Sequence, residues 1–122
     1  MKVRIVAIDD DVLVLELFEL AFAQLPGCEV IGVSSLAQLD RTVVWDVDLV
    51  LLDAHVPGTA VAELVSRVRT RWPAVPIVLV TGDASGAREL VSTFDLAGAL
   101  MKSPALTHLA LTALELAGVQ RD

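Results

Sequence analysis

Five short aliphatic runs recur along the chain, and a longer segment with apolar residues at helical spacing follows each one. The runs end abruptly in polar residues, as buried parallel strands do, so each is predicted to be a strand; they cover residues 3–8, 29–33, 49–52, 77–80 and 97–101. Strands that alternate with helices favour a parallel sheet with helices on both faces. The alternation therefore predicts an α/β protein.

The helices of this α/β protein are predicted from apolar spacing and from the residues that cap or stop them. The first covers residues 12–25 and stops before Pro26 and Gly27. The second has Leu36, Leu39 and Val43 in phase, with Ser34 or Ser35 as its cap. The third covers residues 61–72 before Pro73, the fourth covers residues 87–94, and Pro104 opens the last. Five βα units in 122 residues, joined by right-handed crossovers, fit a flavodoxin-like (βα)5 fold, a doubly wound parallel sheet with strand order 2-1-3-4-5.

Composition narrows the class of protein further. Hydrophobic residues make up 55% of the chain and the formal net charge is −7, which excludes a disordered chain and argues against direct nucleic-acid binding. The apolar runs are far shorter than the ~18–20 residues of a membrane span, and no signal peptide precedes them. A single cysteine, Cys28, cannot form an internal disulfide. We expect a cytoplasmic protein that does not bind membranes.

Polar residues end four of the five predicted strands. The first strand runs into Asp9, Asp10 and Asp11, the third into Asp53, the fourth into Thr81 and the fifth into Lys102. Because the carboxyl ends of parallel strands share one edge of the sheet, these side chains are expected to line one crevice. Clustered carboxylates without a His or Cys cluster favour Mg²⁺, with Mn²⁺ as the alternative.

This set of groups suits an incoming phosphoryl group. A metal and a lysine neutralise its charge, a hydroxyl donates to one of its oxygens, and a carboxylate is available as the nucleophile. Taken one at a time, the same residues have ordinary explanations: an acidic residue after a strand commonly caps a helix, and a lone threonine or lysine ends a strand or is solvated. The combination on four strands favours the functional interpretation.

The motifs that carry these residues resemble those of the receiver domains of bacterial two-component response regulators. They are residues 5–11 (IVAIDDD), 48–58 (DLVLLDAHVPG), 77–82 (IVLVTG) and 100–102 (LMK). The resemblance covers essentially the whole chain, and it implies a single receiver domain over residues 1–122 with no output domain. It also implies a signalling switch, not a turnover enzyme.

Residue by residue, the resemblance implies a role for each strand-end group. Asp53 would accept the phosphoryl group from a phosphohistidine on a sensor histidine kinase or phosphotransfer protein. Asp10 would bind Mg²⁺ directly, Asp9 mainly through water, and the backbone carbonyl of His55 would be a further ligand. Thr81 and Lys102 would contact the phosphoryl oxygens; Asp11 need not be a ligand, and Pro57 would shape the loop after Asp53.

Several positions depart from the family pattern. Ala99 stands where receivers usually carry an aromatic residue whose rotation reports phosphorylation, and Ser103 separates Lys102 from Pro104 where a Lys-Pro step is common. Gly82 follows Thr81 where alanine is more typical. The phosphorylation chemistry is therefore expected to be intact, while signal output is expected to be atypical.

Two further features lead to hypotheses about regulation and partners. His55 and Asp83 stand two residues after Asp53 and Thr81, so they are candidates for tuning hydrolysis of the acyl phosphate, although both could simply face solvent. The first helix is more apolar than one buried face needs. Only Glu16, Glu19 and Gln24 are clearly polar, beside Leu13, Leu15, Leu17, Phe18, Leu20, Phe22 and Leu25. We expect a partner surface there, for a kinase helix pair or for a second copy in a homodimer.

Two other functions remain open at this stage. A haloacid-dehalogenase-like phosphotransferase also uses a strand-end aspartate, a hydroxyl, a lysine and Mg²⁺, and residues 9–11 superficially supply its Asp-x-Asp. However, the late acidic motif of such enzymes is not evident in this chain, and residues 53–58 would have no role in that mechanism. The second alternative is a receiver-like interaction module that acts without phosphorylation. It stays open because Ala99 stands in place of the aromatic switch.

Overall fold

A five-stranded parallel sheet with strand order β2-β1-β3-β4-β5 organises the molecule, which confirms the predicted topology. The computed structural model describes residues 2–44, 46–102 and 106–120, with the side chains of residues 106 and 107 excepted. The strands are β1 (Val3–Ile8), β2 (Cys28–Val33), β3 (Leu49–Asp53), β4 (Ile77–Thr81) and β5 (Gly98–Met101). All neighbouring strands pair in parallel, so their carboxyl ends meet at one edge of the sheet.

Helices cover both faces of this sheet. They are α1 (Val12–Ala23), α2 (Leu36–Arg41), α3 (Val61–Arg71), α4 (Ala87–Phe94) and α5 (Leu106–Ala117). Two apolar clusters show how the faces are divided: one joins the sheet to α1 and α5, and the other joins it to α2, α3 and α4. Successive strand residues alternate between the two clusters, since side chains along a strand point to opposite faces; Leu51 belongs to the first and Leu52 to the second.

Side-chain caps begin two of the helices. Asp11 accepts a hydrogen bond from the backbone N–H of Leu13 at 3.0 Å at the start of α1. Ser35, one of the two predicted caps, accepts one from the N–H of Gln38 at 3.1 Å at the start of α2. These bonds satisfy backbone donors that have no partner within the helix.

Three helix ends differ from the predicted ones. The first helix ends at Ala23 although Leu25 is still buried, and α3 ends at Arg71 with Trp72 buried beyond it. The prediction that Val43 continues the second helix in phase with Leu36 and Leu39 is wrong, because α2 ends at Arg41 and Val43 is 74% exposed. The predicted opening of the last helix at Pro104 lies outside the described residues.

The longest helices are α1 and α5, with 12 residues each. No helix within the described part of the chain has both the length and the apolar character to cross a membrane.

Candidate functional site

The strand register brings the predicted site residues to one edge of the sheet. Ile8 of β1 pairs with Leu52 of β3, so the residues that follow them, Asp9 and Asp53, end the two central strands side by side. On the other side of β3, the N–H of Lys102 donates to the carbonyl oxygen of Thr81 at 2.8 Å, which aligns the end of β5 with the end of β4.

Three carboxylates converge where β1 and β3 end. One oxygen from each of Asp9, Asp10 and Asp53 lies within 4.8 Å of the others. Asp9 and Asp53 are only 1% and 4% exposed, while Asp10 is open to solvent. Buried carboxylates this close repel one another, so a cation between them would lower the energy of the cluster.

The two oxygens of Asp9 differ in their bonding. Its Oδ1 accepts a hydrogen bond from the N–H of Asp11 at 2.9 Å. Its buried Oδ2 accepts no hydrogen bond from any described residue, and Lys102 Nζ lies 3.3 Å away. A buried carboxylate oxygen without a donor is costly unless a cation or water completes it. The donor set, three carboxylates that supply hard oxygens, fits Mg²⁺.

Lys102 joins the two buried carboxylates. Its Nζ lies 3.3 Å from Asp9 Oδ2 and 3.4 Å from Asp53 Oδ1. Partial burial lowers the pKa of this ammonium, but the charges of Asp53 and Asp9 outweigh that effect and raise the pKa above its ordinary value. Lys102 therefore stays charged at neutral pH.

The surroundings of Asp53 fix the position of its carboxylate and also destabilise its charged form. Its Oδ1 accepts a hydrogen bond from the N–H of His55 at 3.1 Å. Burial raises the pKa of Asp53, and the charge of Asp9 raises it further, against the opposing effects of the His55 hydrogen bond and of Lys102. A carboxylate whose anion is destabilised by burial is more basic than a solvated one, which favours its attack on an electrophile.

The Thr81 hydroxyl is bonded into the loop that follows β4. It donates to the carbonyl oxygen of Asp83 at 2.9 Å and accepts from the N–H of Asp83 at 3.0 Å. Asp83 in turn accepts from the N–H of Ser85 at 2.9 Å through Oδ1. The sequence analysis missed this pair of turns, although a threonine two residues before an aspartate in a loop is a signal for them.

The remaining candidates lie around these groups. The His55 and Asp83 side chains are exposed on the loops after β3 and β4, two residues beyond Asp53 and Thr81. Asp11 is occupied as the cap of α1. Ala99 is partly buried and packs against the apolar cluster that joins the sheet to α2, α3 and α4, as Phe94 does.

Comparisons with known proteins agree with this geometry. Residues 5–112 match the model of the family described as "Response regulator receiver domain". No protein with a curated description matches the sequence.

Solved structures resemble the whole chain. A response regulator receiver protein from Burkholderia phymatum is 25% identical, covers 98% of each chain and gives a TM-score of 0.80. The response regulator TrrA from Thermotoga maritima, solved in complex with Mg²⁺-BeF, is 24% identical over 95% of this chain and 99% of its own, with a TM-score of 0.77. DrrB from the same organism is 19% identical over 94% of this chain and 52% of its own, with a TM-score of 0.76. The chain belongs to the response regulator receiver domain family.

Proposed function

We propose that this chain is a receiver that accepts a phosphoryl group on Asp53 from a phosphohistidine of a sensor histidine kinase or phosphotransfer protein. The observation that carries the proposal is the position of Lys102 Nζ between the buried carboxylates of Asp9 and Asp53. The cluster of three carboxylates supports it, as does the Mg²⁺-BeF complex of TrrA.

In the proposed transfer, a carboxylate oxygen of Asp53 attacks the phosphorus atom. The bond from phosphorus to the histidine nitrogen breaks, its electron pair returns to the imidazole, and the acyl phosphate forms on Asp53. Lys102 neutralises charge on the phosphoryl oxygens. Thr81 donates its hydroxyl to one of them, which requires that hydroxyl to leave the Asp83 carbonyl that it bonds in this structure.

Four groups are proposed to hold the metal. Asp10 and Asp53 would bind it directly, Asp9 mainly through water, and the backbone carbonyl of His55 would complete the protein ligands. Mg²⁺ is the proposed ion and Mn²⁺ the alternative, and the bound ion would neutralise charge on the phosphoryl oxygens. The buried oxygen of Asp9 that accepts no hydrogen bond from a described residue supports a cation here, in addition to the ammonium of Lys102.

The same proposal includes the domain organisation, location and type of activity of residues 1–122. Receiver domains are phosphoacceptors that act in signalling, and we propose that residues 1–122 act as one such domain in the cytoplasm, with no output domain among them and with no step of enzymatic turnover.

The exposed side chains of His55 and Asp83 are proposed to tune the lifetime of the acyl phosphate. Rates of phosphate loss from His55→Ala and Asp83→Ala that equal the wild-type rate would contradict this tuning role.

Incubation with a small phosphodonor and Mg²⁺, followed by intact mass measurement, tests the central proposal. The wild-type chain is expected to gain the mass of one phosphoryl group, and Asp53→Ala is expected to gain none. Asp46→Ala is the matched control, because Asp46 is exposed at the opposite end of the sheet and its loss should leave the modification intact.

Two other outcomes would favour the alternative functions. If Asp53→Ala is still phosphorylated while Asp9→Ala is not, a haloacid-dehalogenase-like phosphotransferase replaces the proposal. If the wild-type chain gains no phosphoryl group, the interaction module that acts without phosphorylation is favoured. Ala99 favours this second function, because β5 has no aromatic residue that could report phosphorylation in the usual way.

A further inference from the structure

A cleft opens at the amino edge of the sheet, opposite the edge that carries Asp53. It has a volume of about 390 Å³ and lies between the connection from α3 to β4 and the connection from α4 to β5. We infer that this cleft binds the zwitterion of a small aliphatic α-amino acid, whose carboxylate pairs with Arg69 and whose ammonium pairs with Asp95. This binding would not depend on phosphorylation of Asp53.

Arg69 places a cation without a counter-ion at the α3 side of the cleft. Arg67, two residues earlier in the same helix, pairs with Asp40 at 2.7 Å. Arg69 is partly buried and donates only one hydrogen bond, from Nη2 to the carbonyl oxygen of Asp95 at 2.9 Å. A guanidinium has several further donors, and those of Arg69 have no partner among the described residues. They can hold both oxygens of a ligand carboxylate.

Asp95 places the opposite charge at the end of α4. Its backbone is left-handed with φ 52°, and no other residue except glycine has a positive φ in the described part of the chain. Glycine adopts this conformation at lower cost, so the turn itself does not call for a carboxylate. That carboxylate forms no hydrogen bond or ion pair with a described residue. Residues held in sparsely populated backbone conformations cluster at functional sites.

The two charged residues line the same cleft but do not form an ion pair with each other. A ligand that carries both charges is complementary to this arrangement, because each of its charges meets a counter-ion. A simple anion would bring a like charge toward Asp95, and a simple amine would bring one toward Arg69. The charges therefore select a zwitterion.

The other lining residues select the side chain of the ligand. They have no polar side chain and are Pro73, Ala74, Val75, Pro76, Ile77, Leu96 and Ala97. A polar ligand side chain would lose water here without a replacement partner, whereas an aliphatic one would bury apolar surface. The volume of the cleft lies at the lower end of the range for small-molecule sites, about 300–1,000 Å³. Valine and leucine are ligands of this kind.

Backbone hydrogen bonds hold the walls of the cleft in place. The N–H of Val75 donates to the carbonyl oxygen of Trp72 at 3.1 Å, and the N–H of Ala97 donates to the carbonyl oxygen of Ile77 at 2.8 Å. Because both walls are already ordered, binding would cost little conformational entropy. The amides of Leu96 and Ala97 are within the lining, so their NMR signals can report on a bound ligand.

NMR titration of the full chain tests the inference, with L-valine and L-leucine as the probes. Each probe has two analogues that lack one charge: isovalerate and isobutylamine for valine, and isocaproate and isoamylamine for leucine. The variant Arg69→Gln removes the cation, and Asp95→Asn removes the anion but keeps a residue that visits left-handed backbone. Arg88→Gln is the matched control, because Arg88 is exposed on α4 and does not line the cleft.

The amino acids are expected to shift the Leu96 and Ala97 amides saturably, with half-saturation at about 1 mM or below. The analogues should bind wild type, and the amino acids should bind Arg69→Gln and Asp95→Asn, at least about tenfold more weakly. Arg88→Gln should bind like wild type. If Arg69→Gln unfolds, Arg69→Lys replaces it, since lysine keeps the charge but loses the bidentate geometry.

Three results would overturn the inference. One is the absence of a saturable shift at the Leu96 and Ala97 amides with either amino acid. Another is equal binding of an analogue that lacks the ammonium, which would make the cleft a site for carboxylates alone. The last is unchanged binding by Asp95→Asn. None of these results would affect phosphorylation of Asp53, which intact mass measures separately.

Discussion

The two sides of the candidate site are held to the core to different degrees. Strand β3, which positions Asp53, is buried along its whole length. Strand β5, which positions Lys102, is an edge strand with no fully buried residue, and Met101 at its end is 46% exposed. Helix α4 beside it buries only Ala87.

This difference separates two requirements of a switch. In the proposed function, Asp53 as the nucleophile needs a fixed position, because misplacement by about 1 Å costs rate, and the fully buried strand β3 would supply it. A response to modification needs an element whose displacement is cheap, and such elements come from the less stable parts of a fold. The site thus joins a rigid acidic side to a loosely packed side that carries Lys102.

The largest expected effect comes from a core truncation on each side. Leu52→Ala in β3, where the side chain is fully buried, should lower the free energy of unfolding by about 2–5 kcal/mol. Leu100→Ala in β5, where the side chain is only partly buried, should cost about half as much or less. Urea denaturation of both variants measures this, and equal losses would break the comparison.

Mg²⁺ binding should stabilise the fold through the carboxylates of the acidic side alone. At Mg²⁺ concentrations about a hundredfold above Kd, the free energy of unfolding should rise by about 2.7 kcal/mol. Thermal denaturation with Mg²⁺ or EDTA measures the gain, which Asp10→Asn should remove. Asp83→Asn, on the loop after β4, is the control that should keep it. A gain retained by Asp10→Asn would place the ion elsewhere.

The pH dependence of stability should report the strain on Asp53. Because its pKa is raised by burial and by Asp9, this group contributes stability below its unfolded pKa of about 3.9, and that contribution is lost as pH rises through the folded pKa. In EDTA, stability of wild type relative to Asp53→Asn should therefore fall with rising pH, by about 1.4 kcal/mol for each unit of the shift. Urea titrations between pH 4 and 8 test the sign, and a relative rise would contradict it.

The smallest expected effect lies on the loop after β4. Asp83→Ala removes the hydrogen bond to the N–H of Ser85 but leaves both backbone bonds of Thr81. Stability should fall by about 1 kcal/mol or less, and the Ser85 amide should exchange up to about tenfold faster. Amide exchange measured by NMR tests this, with Asp46→Ala as the unaffected control. Unchanged Ser85 exchange would show that the bond does not restrain the loop.

Sequence reasoning recovered the parts of the molecule that depend on periodicity. Strand order, the two-faced sheet and the convergence of Asp9, Asp53, Thr81 and Lys102 on one edge all follow from apolar runs and the residues that end them. The same reasoning misplaced Val43, since apolar spacing continued past Thr42, where the backbone turns extended and α2 ends.

What the apolar pattern did not predict depends on individual hydrogen bonds. The cap formed by Asp11, the bond between the Thr81 hydroxyl and Asp83, and the Asp9 oxygen that accepts no hydrogen bond from a described residue are set by loop backbone within a few residues of each group. Periodicity does not encode such partners, because several donors and acceptors lie within reach in any loop.

The turn between β1 and α1 has a consequence for how the acidic edge and the first helix are coupled. The N–H of Asp11 donates to Asp9 Oδ1 at 2.9 Å, and the Asp11 side chain accepts from the N–H of Leu13 at 3.0 Å. Because one residue bonds both groups, a displacement of the Asp9 carboxylate would strain the first turn of α1 as well.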